Sequence, residues 1–147
     1  MRSYAITGVA SLLLAGVAAI HFALTPDELE EMTYVGVLFI VSGVGATVAA
    51  IGIWRSGLRA AWAVGALVCV CTFAGFVLSR TTGLPGGYKE ETWDGVGLLS
   101  LALEAGFVVL YAVVQAVSQR RRPRLSSTSP AARAFFTHSR SPYGATR

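Results

Sequence analysis

Charged side chains are scarce in this sequence. Asp, Glu, Lys and Arg make up 14% of its 147 residues and apolar residues make up 54%, whereas an ordinary soluble domain has about 25% charged residues. A soluble fold of this size has too large a surface to cover with so few charges. The composition therefore argues against a soluble protein and favours a surface that faces lipid.

Cysteine and histidine are also rare. Cys69 and Cys71 lie in one apolar run, two residues apart, and this spacing places them on nearly opposite sides of a helix. We therefore expect neither a disulfide nor a shared metal, and we interpret both as small apolar packing residues. His21 and His138 are far apart in the chain, and no His-rich or Cys-rich spacing of a metal site accompanies them.

Motifs of covalent and nucleotide chemistry are missing too. The sequence has no G-x-S-x-G elbow, no phosphate-binding loop, no C-x-x-C-H haem motif and no zinc-protease helix. The glycines of 83–87 lack the Lys-Ser/Thr of a P-loop, so we interpret them as turn residues. We expect a non-enzymatic protein without a cofactor or a metal.

Four apolar runs dominate what is present. Each approaches the length of about 20 residues that crosses a bilayer as a helix, and they cover residues 4–24, 34–53, 58–79 and 96–117. We predict an all-α membrane protein, an antiparallel bundle of four transmembrane helices within 1–118, with helices at about 4–24, 26–54, 58–82 and 95–118. The first run could alternatively be a secretory signal peptide, whose removal would leave three helices.

The charges outside these runs separate by sign. An excess of Lys and Arg marks the cytoplasmic face. The basic side carries Arg2, Arg55, Arg59 and seven tail arginines: Arg120, Arg121, Arg122, Arg124, Arg133, Arg140 and Arg147. The acidic side carries Asp27, Glu28, Glu30, Glu31, Glu90, Glu91 and Asp94, with only Arg80 and Lys89 as cations. Eleven of the twelve basic residues are Arg, and with the many Ala, Gly and Val residues this composition is typical of a GC-rich bacterial genome. We therefore expect a multi-pass protein of the bacterial inner membrane with both termini cytoplasmic and with Trp54, Trp62, Tyr88 and Trp93 at the interfaces.

Local signals mark the turns. Thr25-Pro26-Asp27-Glu28 has the capping-box pattern, which predicts that helix 2 starts near Pro26, with Leu24 and Leu29 as a hydrophobic staple. Gly57 is expected to end helix 2 in a left-handed conformation, and Asp94 is expected to cap helix 4.

Small residues recur at helical spacing on three helices, and such stripes allow close packing between membrane helices. The stripes are Ser11, Ala15, Ala19 and Ala23; Gly36, Gly43, Thr47 and Ala50; and Ala61, Gly65 and Cys69. They favour packing within the bundle, and a homo-oligomer interface is the alternative.

Glu104 is the most informative single residue, because a carboxylate inside a bilayer is costly and should face the bundle interior, protonated or paired. A polar stripe follows its helix: Gly97, Ser100, Glu104, Tyr111, Gln115 and Ser118. His21 and Arg80 are expected near the same end of the bundle. The candidate site is therefore Glu104, His21, Arg80, Ser100 and Tyr111. Its alternatives are a structural polar cluster, a pocket for a lipid, quinone or other small ligand, and a path for protons or metal ions.

The segment 119–147 is a basic, Ser/Pro-rich tail, and we expect it to be disordered. It serves as a topology signal or, alternatively, attaches to anionic lipids. We expect no nucleic-acid binding, because no folded module accompanies it.

Three sequence features together suggest a family. They are His21 followed by Pro26 and an acidic turn, the run Ser79-Arg80-Thr81-Thr82-Gly83-Leu84-Pro85-Gly86, and Val96-Gly97-Leu98 leading to Glu104. Over residues 4–117 the chain resembles a group of small four-helix bacterial integral membrane proteins of uncharacterised function. The resemblance implies a shared fold and shared polar residues, and it supplies no activity. Many of those relatives have a second His where this chain has Glu28, which argues against a metal site here.

These observations lead to two functional hypotheses. The first is a non-enzymatic accessory or interaction subunit, whose partners are the lipid bilayer and a membrane protein or a second copy. The alternative is a membrane protein that handles a small ligand, protons or metal ions at the buried site around Glu104, His21 and Arg80.

Overall fold

The computed structural model describes residues 4–120. It contains helices α1 (Tyr4–Glu31), α2 (Thr33–Ser56), α3 (Arg59–Thr81) and α4 (Gly95–Arg120), and a short 3-10 turn at Pro85–Gly87. No strand occurs in this range, and all four helices are long and apolar enough to cross a membrane. The predicted all-α fold with four candidate spans is confirmed. The predictions for the tail lie outside the described residues, apart from its first two positions.

Large apolar side chains cover the outside of every helix. Leu12, Val41, Leu67 and Val109, one on each helix, are between 62% and 73% exposed. In water, so much apolar surface would promote association. In a bilayer it contacts acyl chains that are as apolar as leucine. The exposed surface therefore fits a multi-pass membrane protein.

The backbones of α1 and α2 approach each other closely, because α2 supplies small residues at their contact. A Cβ atom on Gly36 would lie 2.5 Å from Leu29 Cγ, and one on Gly43 would lie 2.8 Å from the ring of Phe22. The hydroxyl of Ser11 donates to the carbonyl oxygen of Ala50 at 3.1 Å. Leu29 and Phe22 of α1 thus occupy space that is available because Gly36 and Gly43 of α2 have no side chain.

The predicted packing faces are correct for two helices and wrong for one. Gly36, Gly43 and Ala50 on α2 are buried, and so are Gly65 and Cys69 on α3. On α1, however, the predicted stripe of Ala15, Ala19 and Ala23 is exposed. The buried face of α1 instead consists of Ala10, Leu14, Val17, Ala18 and His21. The reason is that α1 contributes larger side chains to a contact in which α2 is the small-residue partner.

The predicted start of helix 2 near Pro26 is also wrong. α1 continues through Pro26 to Glu31, and the single residue Met32, in an extended conformation, separates it from α2. Thr25 is not a cap, since its hydroxyl donates to the carbonyl oxygen of His21 one turn earlier, at 2.7 Å. The packing of Leu29 on Gly36 accompanies the longer helix, so tertiary contact overrides the local capping pattern.

The other helix ends follow the predicted signals. Gly57 ends α2 at φ 56° and donates its N–H to Ile53. Gly83, at φ +83°, follows α3, where its N–H reaches the carbonyl oxygen of Leu78 at 2.8 Å. Asp94 caps α4 by accepting the N–H of Gly97. The ends of α2, α3 and α4 lie within two residues of the predicted ones.

α4 contacts the other helices through large side chains rather than close backbone approach. Phe107 is fully buried and stacks on Trp62, with 5.7 Å between ring centroids. Trp62 is therefore a packing residue, not the interfacial anchor that the sequence suggested. Leu103 packs on Gly16 of α1. Because such side chains hold α4 at a distance, space remains beside it.

Candidate functional site

A cavity of about 170 Å³ lies in the bundle, toward the end that carries the α1–α2 and α3–α4 connections. All four helices contribute to its wall. The apolar part includes Ile20, Leu24, Leu38, Phe39, Phe76 and Leu101, and the polar part includes His21, Glu28, Ser42, Thr72, Ser79, Arg80, Tyr88, Glu90, Asp94, Ser100 and Glu104. The cavity thus combines apolar walls with a concentration of polar groups that is unusual inside a membrane bundle.

Glu104 lies in the wall contributed by α4 and is 2% exposed. The Ser100 hydroxyl, one turn earlier on the same helix, donates to Glu104 Oε1 at 3.0 Å. Within residues 4–120, the one ion pair joins Arg80 to Asp94. Thr72 on α3 also reaches the Glu104 carboxyl group, so hydroxyl groups rather than a cation hold it.

His21 contributes an imidazole from α1 and is 5% exposed. Its Nδ1 lies 2.9 Å from the carbonyl oxygen of Val17. A carbonyl oxygen can only accept, so Nδ1 carries the proton, and in the neutral ring Nε2 is left as an acceptor. The ring also packs against Phe39, with 5.0 Å between centroids. No buried side-chain nitrogen or oxygen in the described range lacks a partner, so Nε2 is not sealed inside the protein.

Arg80 is held at the connection end by four groups. Its Nε donates to the carbonyl oxygen of Thr92 at 3.0 Å, and its NH1 donates to Ser79 Oγ at 3.1 Å. Its NH2 pairs with Asp94 at 3.2 Å, and the guanidinium lies 3.6 Å from the centroid of the Phe76 ring. The Gly97 N–H is the main cause that lowers the pKa of Asp94, and Arg80 adds to it. Arg80 thus joins the start of α4 to the end of α3.

Tyr88 forms a second polar group at the same end and is 6% exposed. Its hydroxyl is 2.9 Å from Glu28 Oε2 and 3.4 Å from Glu90 Oε2. Glu90 also accepts the hydroxyl of Thr92 at 2.7 Å. Burial, followed by the hydrogen bond to Glu28, raises the pKa of Tyr88. This cluster connects the end of α1 to the α3–α4 connection.

The comparisons with known proteins add nothing to this picture. No family model matches the chain, and no curated protein and no solved structure matches it. The resemblance to small four-helix bacterial membrane proteins stays a prediction.

The structure brings four of the five candidate residues together. Glu104, His21, Arg80 and Ser100 all line the cavity. Tyr111 does not, because it lies seven residues beyond Glu104, about 10 Å along the helix. There it stacks near Trp62, with 6.4 Å between centroids, and accepts a hydrogen bond from Gln115. The polar stripe on α4 is therefore longer than the cavity.

The sequence places Glu28 in the acidic turn after helix 1 and Tyr88 at an interface as an aromatic residue, and it predicts no role for either in the site. Neither lies in a periodic pattern that predicts the contact between them. The sequence feature that could have indicated this contact is the α3–α4 connection, which is long for a simple turn and rich in polar residues. In the described part of the chain, no three His, Cys, Asp or Glu side chains form a group that could hold a metal ion. The arrangement suits non-covalent binding of a small solute.

Proposed function

We propose that the protein is a multi-pass membrane protein that binds a small solute in the cavity beside Glu104. The observation that carries this proposal is a cavity among four helices that are apolar and long enough to cross a membrane; its wall contains a buried carboxyl group without a cationic partner in the described range. Buried ionisable groups reduce stability relative to a well-packed apolar core. Inside a membrane they mark binding sites and pathways by default.

The size of the cavity limits the solute. A cavity of about 150 Å³ can hold benzene, and this one has about 170 Å³. It therefore suits a compact molecule near that size rather than a whole lipid or a quinone with its tail. We include proton transfer through Glu104 and His21 in this proposal only as a step that accompanies solute binding.

The proposal includes an antiparallel bundle in the bacterial inner membrane with both termini cytoplasmic. Two contacts between α1 and α2 support the antiparallel arrangement: Leu29 packs on Gly36, and Ser11 bonds to Ala50. The hydrogen bonds that join the α1–α2 and α3–α4 connections also support it. The separation of basic from acidic residues supports the orientation. Reporter fusions at the C-terminus and in the 82–94 connection should report opposite sides, and equal labelling of both would contradict it.

Two phenylalanine substitutions on neighbouring residues test the binding proposal. Ser42 lines the cavity, whereas Val41 is 62% exposed on the outer surface. Ser42→Phe should fill the cavity, and Val41→Phe should add the same ring to the lipid-facing side. Both variants and the wild type would be purified in mild detergent, and small molecules released from each would be measured by mass spectrometry.

We expect a small molecule to co-purify with the wild type and with Val41→Phe, and to be lost from Ser42→Phe. Thermal unfolding of each variant, followed by tryptophan fluorescence, checks that loss does not reflect misfolding. Equal retention by Ser42→Phe would contradict binding in this cavity, and so would a wild type that carries nothing and gains no stability from any small solute.

The accessory-subunit hypothesis stays a prediction. It requires a stoichiometric partner after purification in mild detergent, and a clean monomer would count against it. The same preparation would therefore distinguish the two hypotheses.

A further inference from the structure

The ionisable groups around the cavity are mainly acidic. Among the described residues, four carboxyl groups line it, those of Glu28, Glu90, Asp94 and Glu104, against one guanidinium and one imidazole. Asp94 neutralises Arg80 at 3.2 Å. Three carboxyl groups remain, and His21 is the one other basic side chain in the wall.

At the connection end, two of these carboxyl groups share one donor. The Tyr88 hydroxyl lies within hydrogen-bond distance of both Glu28 and Glu90, yet it has a single proton to donate. Arg80 is near enough to attract Glu28 electrostatically, but the bonds of its N–H groups run to Thr92, Ser79 and Asp94. Among the described residues, Glu28 and Glu90 therefore have no cation within ion-pair distance.

The deep end also presents acceptors. The Ser100 hydroxyl donates to Oε1 of Glu104, Thr72 also reaches this carboxyl group, and His21 has used its N–H on Val17. The carboxyl group of Glu104 therefore meets hydroxyl groups but no cation, and His21 Nε2 remains to accept a hydrogen bond. An ammonium group carries three donors and no acceptor, so its chemistry complements both ends of the cavity, whereas an anion would meet carboxylates.

We propose that the solute is a small organic cation: an ammonium group on a compact apolar body. This inference rests on the proposed function, since it names the class of solute that the same cavity takes. The apolar wall, including Leu38, Phe39 and Leu101, receives the body. Aromatic faces such as that of Phe39 also attract cations.

Three probes of one shape but different charge test this inference. Benzylammonium is cationic, benzyl alcohol is neutral and benzoate is anionic, and each is a benzene ring with a short polar arm. Binding would be measured by calorimetry on the full-length protein in detergent near pH 7, with empty micelles subtracted. We expect benzylammonium to bind at least about tenfold more tightly than benzyl alcohol, since hydrogen bonds to charged groups are worth about 1.5–3 kcal/mol, and we expect no binding of benzoate.

Substitutions of single acids localise the effect. Glu104→Gln and Glu28→Gln should each weaken benzylammonium binding by about tenfold while leaving benzyl alcohol nearly unchanged. Glu91→Gln is the matched control, because Glu91 is exposed in the same connection and does not line the cavity. The two lining variants are independent, so misfolding of one leaves the other as the test.

The outcomes separate this inference from the proposed function. Equal or tighter binding of benzyl alcohol or benzoate would overturn the cationic preference while supporting a solute-binding cavity. Binding of none of the three would overturn both proposals. If Glu91→Gln reduced the preference for the cation as much as Glu104→Gln does, the attraction would arise at the surface, and this inference would also be overturned.

Discussion

The contact between α1 and α2 makes a strong prediction at Gly36. A Cβ atom there would lie 2.5 Å from Leu29 Cγ and 2.8 Å from Leu29 Cα. The second atom belongs to the backbone, so a rotamer change of Leu29 cannot relieve the clash. Gly36→Ala must therefore push the two helices apart at the point where Met32 joins them.

The magnitude follows from two opposing effects. Forcing an extra methyl group into a packed contact costs about 1–3 kcal/mol, and alanine's better helix propensity offsets at most about 1 kcal/mol. We expect Gly36→Ala to lower the free energy of unfolding by about 1–2 kcal/mol. Gly95→Ala is the control, since Gly95 also lies in the first turn of a helix and a Cβ there would meet nothing within 4 Å.

Reversible unfolding by SDS in mixed micelles, followed by tryptophan fluorescence, measures this difference. Gly36→Ala should unfold at a lower SDS fraction than the wild type, and Gly95→Ala should unfold at the same fraction or a higher one. If Gly36→Ala matched Gly95→Ala, the close contact of α1 with α2 would be refuted.

Three further predictions concern single polar groups. The pKa of Asp94 is lower in the folded protein than its ordinary value of 3.8, so its contribution to stability is present above that value and is lost as the pH falls through the folded-state pKa. Asp94→Asn should remove this part of the loss of stability in acid, measured as a series of unfolding curves at falling pH. If the variant lost as much stability in acid as the wild type, the prediction would be wrong. Tyr88→Phe removes the donor to Glu28 and should lower the free energy of unfolding by about 1–3 kcal/mol, measured by the same SDS unfolding. If the variant unfolded at the same SDS fraction as the wild type, the bond would not be formed. Ser11→Ala removes a hydrogen bond between two helices and should lower the free energy of unfolding by about 0.6 kcal/mol. Ser56→Ala is the control, because its hydroxyl bonds within its own helix, and equal effects of the two substitutions would argue against the interhelical bond.

The parts of the fold that could be predicted depend on local chemistry. Four apolar runs of sufficient length fix four helices, because a bilayer-crossing segment must satisfy its backbone internally. Gly57 and Asp94 mark helix ends through conformations and bonds confined to a few residues. The spacing of Cys69 and Cys71 correctly placed them on different sides of their helix, but Cys71 is exposed and is therefore not the packing residue that we expected.

The failures arose where distant residues decide the outcome. Thr25 and Pro26 carry a sound capping pattern, yet the contact of Leu29 with Gly36 extends α1 past them. Glu104 and His21 could be identified because ionisable residues inside apolar runs are conspicuous. The Tyr88 bond to Glu28 spans 60 residues, and no periodicity signals such a pair.

If the protein binds a solute beside Glu104, a polar cavity must enter the bundle and reach the helical turn that carries this residue. Ser100 and Leu99 are neighbours on α4, but Ser100 lines the cavity and Leu99 is 54% exposed on the outside. Ser100→Cys and Leu99→Cys, each with both native cysteines replaced by alanine, would be reconstituted in lipid vesicles and treated with a small cationic methanethiosulfonate. We expect rapid modification at position 100 and little at position 99. Equal rates, or faster modification at position 99, would contradict it.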